Sequence, residues 1–312
     1  MLDWYKCEII ERKKDKSKIL IGLGDSFTQG QGACSLELWE KHNWDLKQKI
    51  SETDDFDLFK SSYENSWVNK ICENHLTDFI PINFGMTGRG NRGAVKELYL
   101  HPDLQLEKSS EIIVVFMLTG MERFDFVHKN FNEHVHYRTM WPMNDDKLSL
   151  QYLEEIWSDK FGIIESLLSI AEVKMWCKSN NAKLFLTSAF STRYNYEYFF
   201  NTLNSSTNKE KNYFHNKQDY LNLLINSNIE WDNFIRPKGY TCVTDFLCHL
   251  EGREDLINSM SPHDYYKYAY KLNKLSPNEY ITPCAHPSYK GHEKIAEIIY
   301  EEIIKNKQNK LI

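Results

Sequence analysis

No apolar run in this chain approaches the length of a membrane span. Basic residues are not in excess either. The formal net charge is -6, whereas a nucleic-acid-binding domain usually carries a basic face. Neither a membrane nor a nucleic acid is therefore expected as a partner. The opening residues, Met1-Leu2-Asp3-Trp4-Tyr5-Lys6, lack the basic flank and apolar core of a secretory signal. Cys7, Cys34, Cys72, Cys177, Cys242, Cys248 and Cys284 are an odd number with no Cys-x-x-Cys pair. That spacing disfavours a disulfide framework and a zinc site, and it suits reduced thiols in a cytoplasmic setting. Repeats, linkers and low-complexity tails are also missing, so a single domain is expected over 1–312, with insertions at about 124–158 and 190–280.

What is present is a folded, aromatic-rich composition. Hydrophobic residues make up 41% and aromatics 14% of 312 residues, enough to bury a sizeable core despite a mean hydropathy of -0.57. Four apolar runs read as strands: Ile19–Leu23, Phe79–Phe84, Ile112–Leu118 and Lys183–Ser188. The third is continuous and β-branched, as a strand covered on both faces is. Helical periodicity falls at Trp67, Ile71 and Leu76, from about Ala94 to Leu100, from Lys160 to Lys178 and from Glu293 to Ile304. Strands alternating with helices imply an α/β fold with a parallel sheet between two helical layers. Residues 36–62 show no clear long element, and 124–158 read as irregular. Between Phe190 and Asp264 the only signals are a weak strand, Tyr240–Val243, and a helix from Asp245 to Ile257.

The first strand runs into Gly22-Leu23-Gly24-Asp25-Ser26-Phe27-Thr28-Gln29-Gly30. Gly22 and Gly24 allow close backbone approach. A serine just after the Gly24-Asp25 turn, opening a helix, exposes its hydroxyl and leaves its N–H without a helical acceptor. Gly85-Met86-Thr87-Gly88-Arg89-Gly90-Asn91 and Thr119-Gly120-Met121-Glu122-Arg123 follow the second and third strands in the same manner. All three turns are expected at the carboxyl edge of the sheet, where ligands of open α/β sheets bind. His286, in a loop before the last helix, could reach that edge. A hydroxyl, an imidazole and backbone donors together are what acyl transfer requires.

Gly24-Asp25-Ser26-Phe27, Asn83-x-x-x-x-Gly88-Arg89 and His286-Pro287-Ser288-x-x-Gly291-His292, in this order, resemble the blocks of the SGNH hydrolases, also called GDSL esterases and lipases. The resemblance runs over most of the chain and leaves out the two insertions. It implies a flavodoxin-like three-layer α/β/α domain that hydrolyses esters through an acyl-serine, without a cofactor. Ser26 would be the nucleophile, and the N–H groups of Ser26 and Gly88 would be oxyanion donors. His286 would be general base and then acid. Arg89 and Asn91 are candidates for binding substrate.

Two positions depart from the pattern. Where the family has Asn after the third strand, this chain has Glu122 and Arg123. An ionised Glu122 would repel an oxyanion, so either Arg123 or another backbone N–H compensates or the rate is low. Where the family has Asp three residues before the histidine, this chain has Pro283. A carbonyl of the 282–284 loop is favoured to orient His286, with Glu279, Asp264 and Asp245 as alternatives.

Asp25 reads as a turn acid, His292 as structural, and Cys284 lacks the turn that would present a nucleophile. His134 and His136, with His128 nearby, lack further ligands at metal spacing, so no metal is expected. Tyr194, Tyr196, Tyr198 and Phe199 read as the small core of an insertion rather than a sugar platform. The expected activity is that of a deacetylase or deacylase on a carbohydrate or other polar ester. The alternative is a weak or inactive glycan-binding or assembly subunit on the same fold. The sequence does not settle an oligomeric state.

Overall fold

The computed structural model describes residues 17–33, 56–101, 109–129, 135–140, 147–190, 193–205, 217–231, 234–257, 279–282 and 286–309. The chain runs from β1 (Lys18–Leu23) through a single turn of helix, α1 (Ser26–Gln29), to α2 (Phe56–Glu64), α3 (Trp67–Asn74) and β2 (Phe79–Asn83). Next come α4 (Asn91–Leu100), β3 (Glu111–Leu118), the pair β4 (Phe124–Lys129) and β5 (Val135–Met140), α5 (Lys147–Glu155) and α6 (Asp159–Ser179). β6 (Ala182–Ser188), α7 (Tyr196–Asn204), α8 (Lys217–Ser227), α9 (Val243–Leu250) and α10 (Tyr289–Asn309) complete the described elements.

The sheet has the order β2-β1-β3-β6 and every pairing in it is parallel. A parallel bridge from Leu186 to Phe234 continues it by one position beyond β6. This is the doubly wound, flavodoxin-like order, in which the chain reverses direction of growth between β1 and β3. Alternation along the strands divides the core. Ile112, Val114, Phe116 and Leu118 face a layer of α4, α6, α7 and α8. Ile113, Val115 and Met117 face α3, α9 and α10. The central strands are covered on both sides, which is why they read as unbroken apolar runs. Gly22 and Gly24 serve the close approach expected of them. A Cβ at Gly22 would collide with Val68 of α3, and one at Gly24 would meet the Met117 carbonyl oxygen at 2.8 Å.

Several elements differ from the sequence expectation. α4 starts at Asn91, three residues earlier than its apolar face indicated, because Gly90 caps it in an extended conformation. Within 124–158 the described residues are not irregular: β4 and β5 form an antiparallel ladder, with His128 opposite His136, and α5 follows. Tyr240–Val243 does not form a strand, since Cys242 is the N-cap of α9 and the bridge to β6 is made by Phe234 instead. α9 ends at Leu250, and only Glu254–Leu256 of the expected continuation is helical, as a 3-10 turn. α2 lies where no long element was expected. Tyr194 and Phe199 are core residues, as expected, whereas Tyr196 is 48% exposed. No helix among the described residues is long and apolar enough to cross a membrane.

Candidate active site

β1 lies between β2 and β3, so the turns after these three strands meet at the reversal point, where a crevice opens in doubly wound sheets. Asp25 is the N-cap of α1, and its Oδ1 accepts the Phe27 N–H at 3.0 Å. Ser26 is therefore the first helical residue. Its N–H meets no acceptor among the described residues, as the first turn of a helix dictates. The Ser26 Oγ lies 2.8 Å from the His286 Nε2, across 260 residues of chain. Both residues are nearly buried, at 3% and 6% exposure.

Asp25 does more than cap. Its Oδ2 accepts hydrogen bonds from the Thr119 hydroxyl at 2.8 Å and from the Arg123 Nη1 at 2.7 Å. Both members of this ion pair are out of water. The Arg123 guanidinium also lies over the Phe190 ring, 5.0 Å from its centre. Phe190 contacts Phe27, and Phe27 contacts the His286 ring, with centroids 5.7 and 5.4 Å apart. Strand pairing is the signal that would have found the ion pair: β1 and β3 run side by side, so an acid and a base just past their ends become neighbours.

The second junction is fastened to the first. Asn83 at the end of β2 donates to the carbonyls of Thr28 and Gln29, at 2.8 and 3.2 Å. The Gln29 Oε1 accepts the Thr87 N–H at 2.7 Å, and Met86 N–H donates to the Gly24 carbonyl at 3.3 Å. This lays the 86–88 loop against the Ser26 turn. Gly88 follows with φ +76°, a left-handed conformation natural to glycine, and no atom lies within 4 Å of where a Cβ would stand. Its N–H, like that of Ser26, finds no acceptor among the described residues.

Arg89 and Asn91 do not face this opening. Arg89 is buried and pairs with Glu97, whose other oxygen meets the His101 Nε2 at 2.8 Å. The Asn91 Nδ2 donates to the Tyr194 hydroxyl at 2.6 Å, and its Oδ1 accepts the Thr119 N–H at 2.9 Å. Tyr194 in turn donates to the Thr119 carbonyl at 2.6 Å. Asn91 and Tyr194 thus hold the end of β3 in place. Asp125 of β4 receives the N–H groups of Gly90 and Gly93 at 3.0 and 2.8 Å, supplying from the hairpin the side-chain cap that Gly90 lacks.

His286 is presented by a clamped loop. Ile281 bridges Pro287 in antiparallel fashion, and Thr282 donates to the His286 carbonyl from both its N–H and its hydroxyl, at 2.8 and 2.9 Å. The Glu251 carboxylate, just past α9, accepts the N–H groups of Glu279, Tyr280 and Ile281. Pro283 and Cys284 lie outside the described residues, as do the carbonyls of 283 and 284 and Asp264. Of the other proposed partners of His286, Glu279 pairs with Lys290 at 2.6 Å on the surface, and Asp245 accepts from the Thr241 hydroxyl at 2.9 Å.

Glu122 is buried beside Gly120, and loss of hydration pushes its carboxyl above the usual range, with Arg123 and Arg193 partly opposing this. Its Oε1 has no hydrogen-bond partner among the described residues. His292 is fully buried. Its Nδ1 accepts the Trp67 N–H at 3.2 Å, and burial pushes its pKa down to about 3, so the ring is neutral at pH 7. His134 lies outside the described residues, and among those described no three His, Cys, Asp or Glu are grouped to hold a metal ion.

No protein-family model matches the sequence. No curated protein matches it. Among solved structures, the chain is similar to an acetyl xylan esterase, at 14% identity over 91% of this chain and 98% of that one, with a TM-score of 0.34. It is also similar to a carbohydrate esterase whose active site is described as displaying divergent catalytic and non-catalytic binding functions. There the identity is 13% over 93% of this chain, with a TM-score of 0.39, and the match spans 65% of the other chain's length. At such scores the likeness assigns no activity.

Proposed function

We propose that the protein is a serine ester hydrolase of the SGNH type, acting on a carbohydrate or other polar ester. The observation that carries the reading is the 2.8 Å contact between the Ser26 Oγ and the His286 Nε2 at the carboxyl edge of the sheet. In this reading Ser26 Oγ attacks the ester carbonyl carbon as its proton passes to His286 Nε2. The negative oxygen of the tetrahedral intermediate lies against the Ser26 and Gly88 N–H groups. His286 then gives its proton to the departing alcohol oxygen. A water, deprotonated by the same nitrogen, attacks the acyl-serine, and His286 returns that proton to Ser26 Oγ as the bond to the acyl group breaks and the acid is released. No cofactor enters these steps.

The test is incubation with a panel of acyl esters and with a fluorophosphonate probe. Ser26→Ala is expected to abolish labelling, and His286→Ala to lower turnover on the order of 10⁴-fold or more, both with the fold intact. An unlabelled, well-folded wild type would sink the reading. That result would favour the second reading, a glycan-binding or assembly subunit. One observation speaks for it: where the family has a side-chain amide donor, the third junction presents Glu122, buried with its Oε1 unpartnered among the described residues, and Arg123, paired with the buried Asp25.

A further inference from the structure

Arg123 stands in the block where an oxyanion donor is expected, yet its side chain is only 1% exposed. A donor to substrate must present an N–H to the open crevice. The Arg123 Nη1 instead spends its hydrogen bonds on the Asp25 Oδ2 at 2.7 Å and the Arg89 carbonyl at 3.3 Å. Its flat face lies on Phe190. Asp25 immediately precedes Ser26 and caps Phe27 immediately after it, so a force on the Asp25 carboxylate is a force on the Ser26 backbone. From Phe190 the contacts pass through Phe27 to the His286 ring.

We propose that Arg123 is a positioning residue that holds both halves of the Ser26–His286 pair, the serine through Asp25 and the histidine through the tilted Phe190–Phe27 ring pair. This rests on the hydrolase reading and replaces its notion of Arg123 as a direct oxyanion or substrate contact. The circuit is closed: Ser26, His286, Phe27, Phe190, Arg123 and Asp25 return to Ser26 without passing through solvent. Thr119 adds a second donor to the same Asp25 oxygen, so the third strand's junction delivers two groups to the nucleophile turn. A planar cation suits this post because it pairs with a carboxylate along its edge while stacking on a ring.

The test is a mutant cycle over Arg123→Met, Asp25→Asn and the double variant, with Arg123→Lys as the conservative control. kcat, KM and the rate of fluorophosphonate labelling are read alongside circular dichroism. Misplacement of reacting groups by about 1 Å costs on the order of 100-fold. Each single variant is expected to lose about that much in kcat and in labelling rate, with KM changed less than about threefold. Because Arg123→Met already breaks the contact that Asp25→Asn breaks, the double variant should fall no further than the worse single. Arg123→Lys keeps a charge against Asp25 and should recover roughly tenfold over Arg123→Met. Losses that multiply in the double variant overturn the proposal, as does a rise in KM at unchanged kcat, or a lysine variant no better than methionine. If Arg123→Met does not fold, the double variant, which leaves no lone buried charge, and the lysine variant decide it. A folded wild type that is neither labelled nor active brings down the hydrolase reading and this proposal together. A reactive wild type with Arg123 variants of equal rate brings down the proposal alone.

Discussion

The turn carrying Ser26 and the loop carrying His286 meet at 2.8 Å but are held by different means. The serine turn is gripped from two neighbouring strand ends, those of β2 and β3. Asn83 takes its carbonyls, Gln29 takes Thr87, and Asp25 is locked by Thr119 and Arg123 in a dry ion pair. Among the described residues, the histidine loop is folded on itself by hydrogen bonds and leans on the partly exposed carboxylate of Glu251. A buried charge pair loses heavily when one partner is removed, because the other is stranded without water. A carboxylate with solvent access that gathers three N–H groups loses less, since water can take over part of its task. Ser26 is thus built into the sheet, while His286 is strapped on from α9.

The contrast is broken most directly at the strap. Glu251→Ala should loosen the 279–282 loop and lower kcat about tenfold with KM nearly unchanged, at a cost to stability of about 1–2 kcal/mol. Steady-state kinetics and a denaturant melt check this. A variant with wild-type kcat would mean that Thr282 and the Ile281–Pro287 bridge suffice to place His286.

The next effect is one of pH, at the root of the same loop. His292 has a folded pKa of about 3 against an ordinary value of 6.5. Between those values the unfolded chain binds the additional proton, so stability falls as pH drops from 6.5 towards 3. The contribution of this one residue approaches about 1.4 kcal/mol per pH unit below 6.5. Between pH 6.5 and 5, where most carboxylates stay ionised in both states, His292→Gln should flatten the slope of melting temperature. An unchanged slope would mean that the ring does not stay neutral.

The smallest effect belongs to the serine side. Glu122 has its carboxyl raised by burial, so it costs stability as pH rises above the ordinary carboxylate value of 4.5. Glu122→Gln should leave the protein as stable or more stable at pH 7, by about 1 kcal/mol or less, with that pH dependence removed. A clear loss of stability would show that the charge is needed against Arg193 or Arg123.

The same division explains what could be read in advance. β1, β2, β3 and β6 were legible because strands buried on both faces leave continuous apolar runs, and β-branched Ile112–Val115 fit few other uses. The β4–β5 ladder was not, because Asp125, His128 and Lys129 broke the apolar signal. Asp125 is there to receive Gly90 and Gly93 across the fold, a demand invisible locally. Tyr240–Val243 has strand-forming residues but lies where the chain has to start α9, and tertiary context overrides so short a preference. Ser26 and His286 were found by the order of their motifs. Arg123 was found as a position but its contact was not, since an ion pair between strand ends exists only once the strands are ordered side by side.

The 260-residue separation of Ser26 from His286 also sets a schedule. At the usual pace of synthesis, roughly 5 to 20 residues per second, the hydroxyl emerges from the ribosome on the order of ten to fifty seconds before the imidazole. β1, β2 and β3 can be paired in that interval, since all three precede residue 119. Until the segment bearing His286 arrives, the nascent chain can hold an assembled scaffold and a serine without its imidazole neighbour. Under the hydrolase proposal, a prematurely released fragment is expected to be inert rather than indiscriminately reactive.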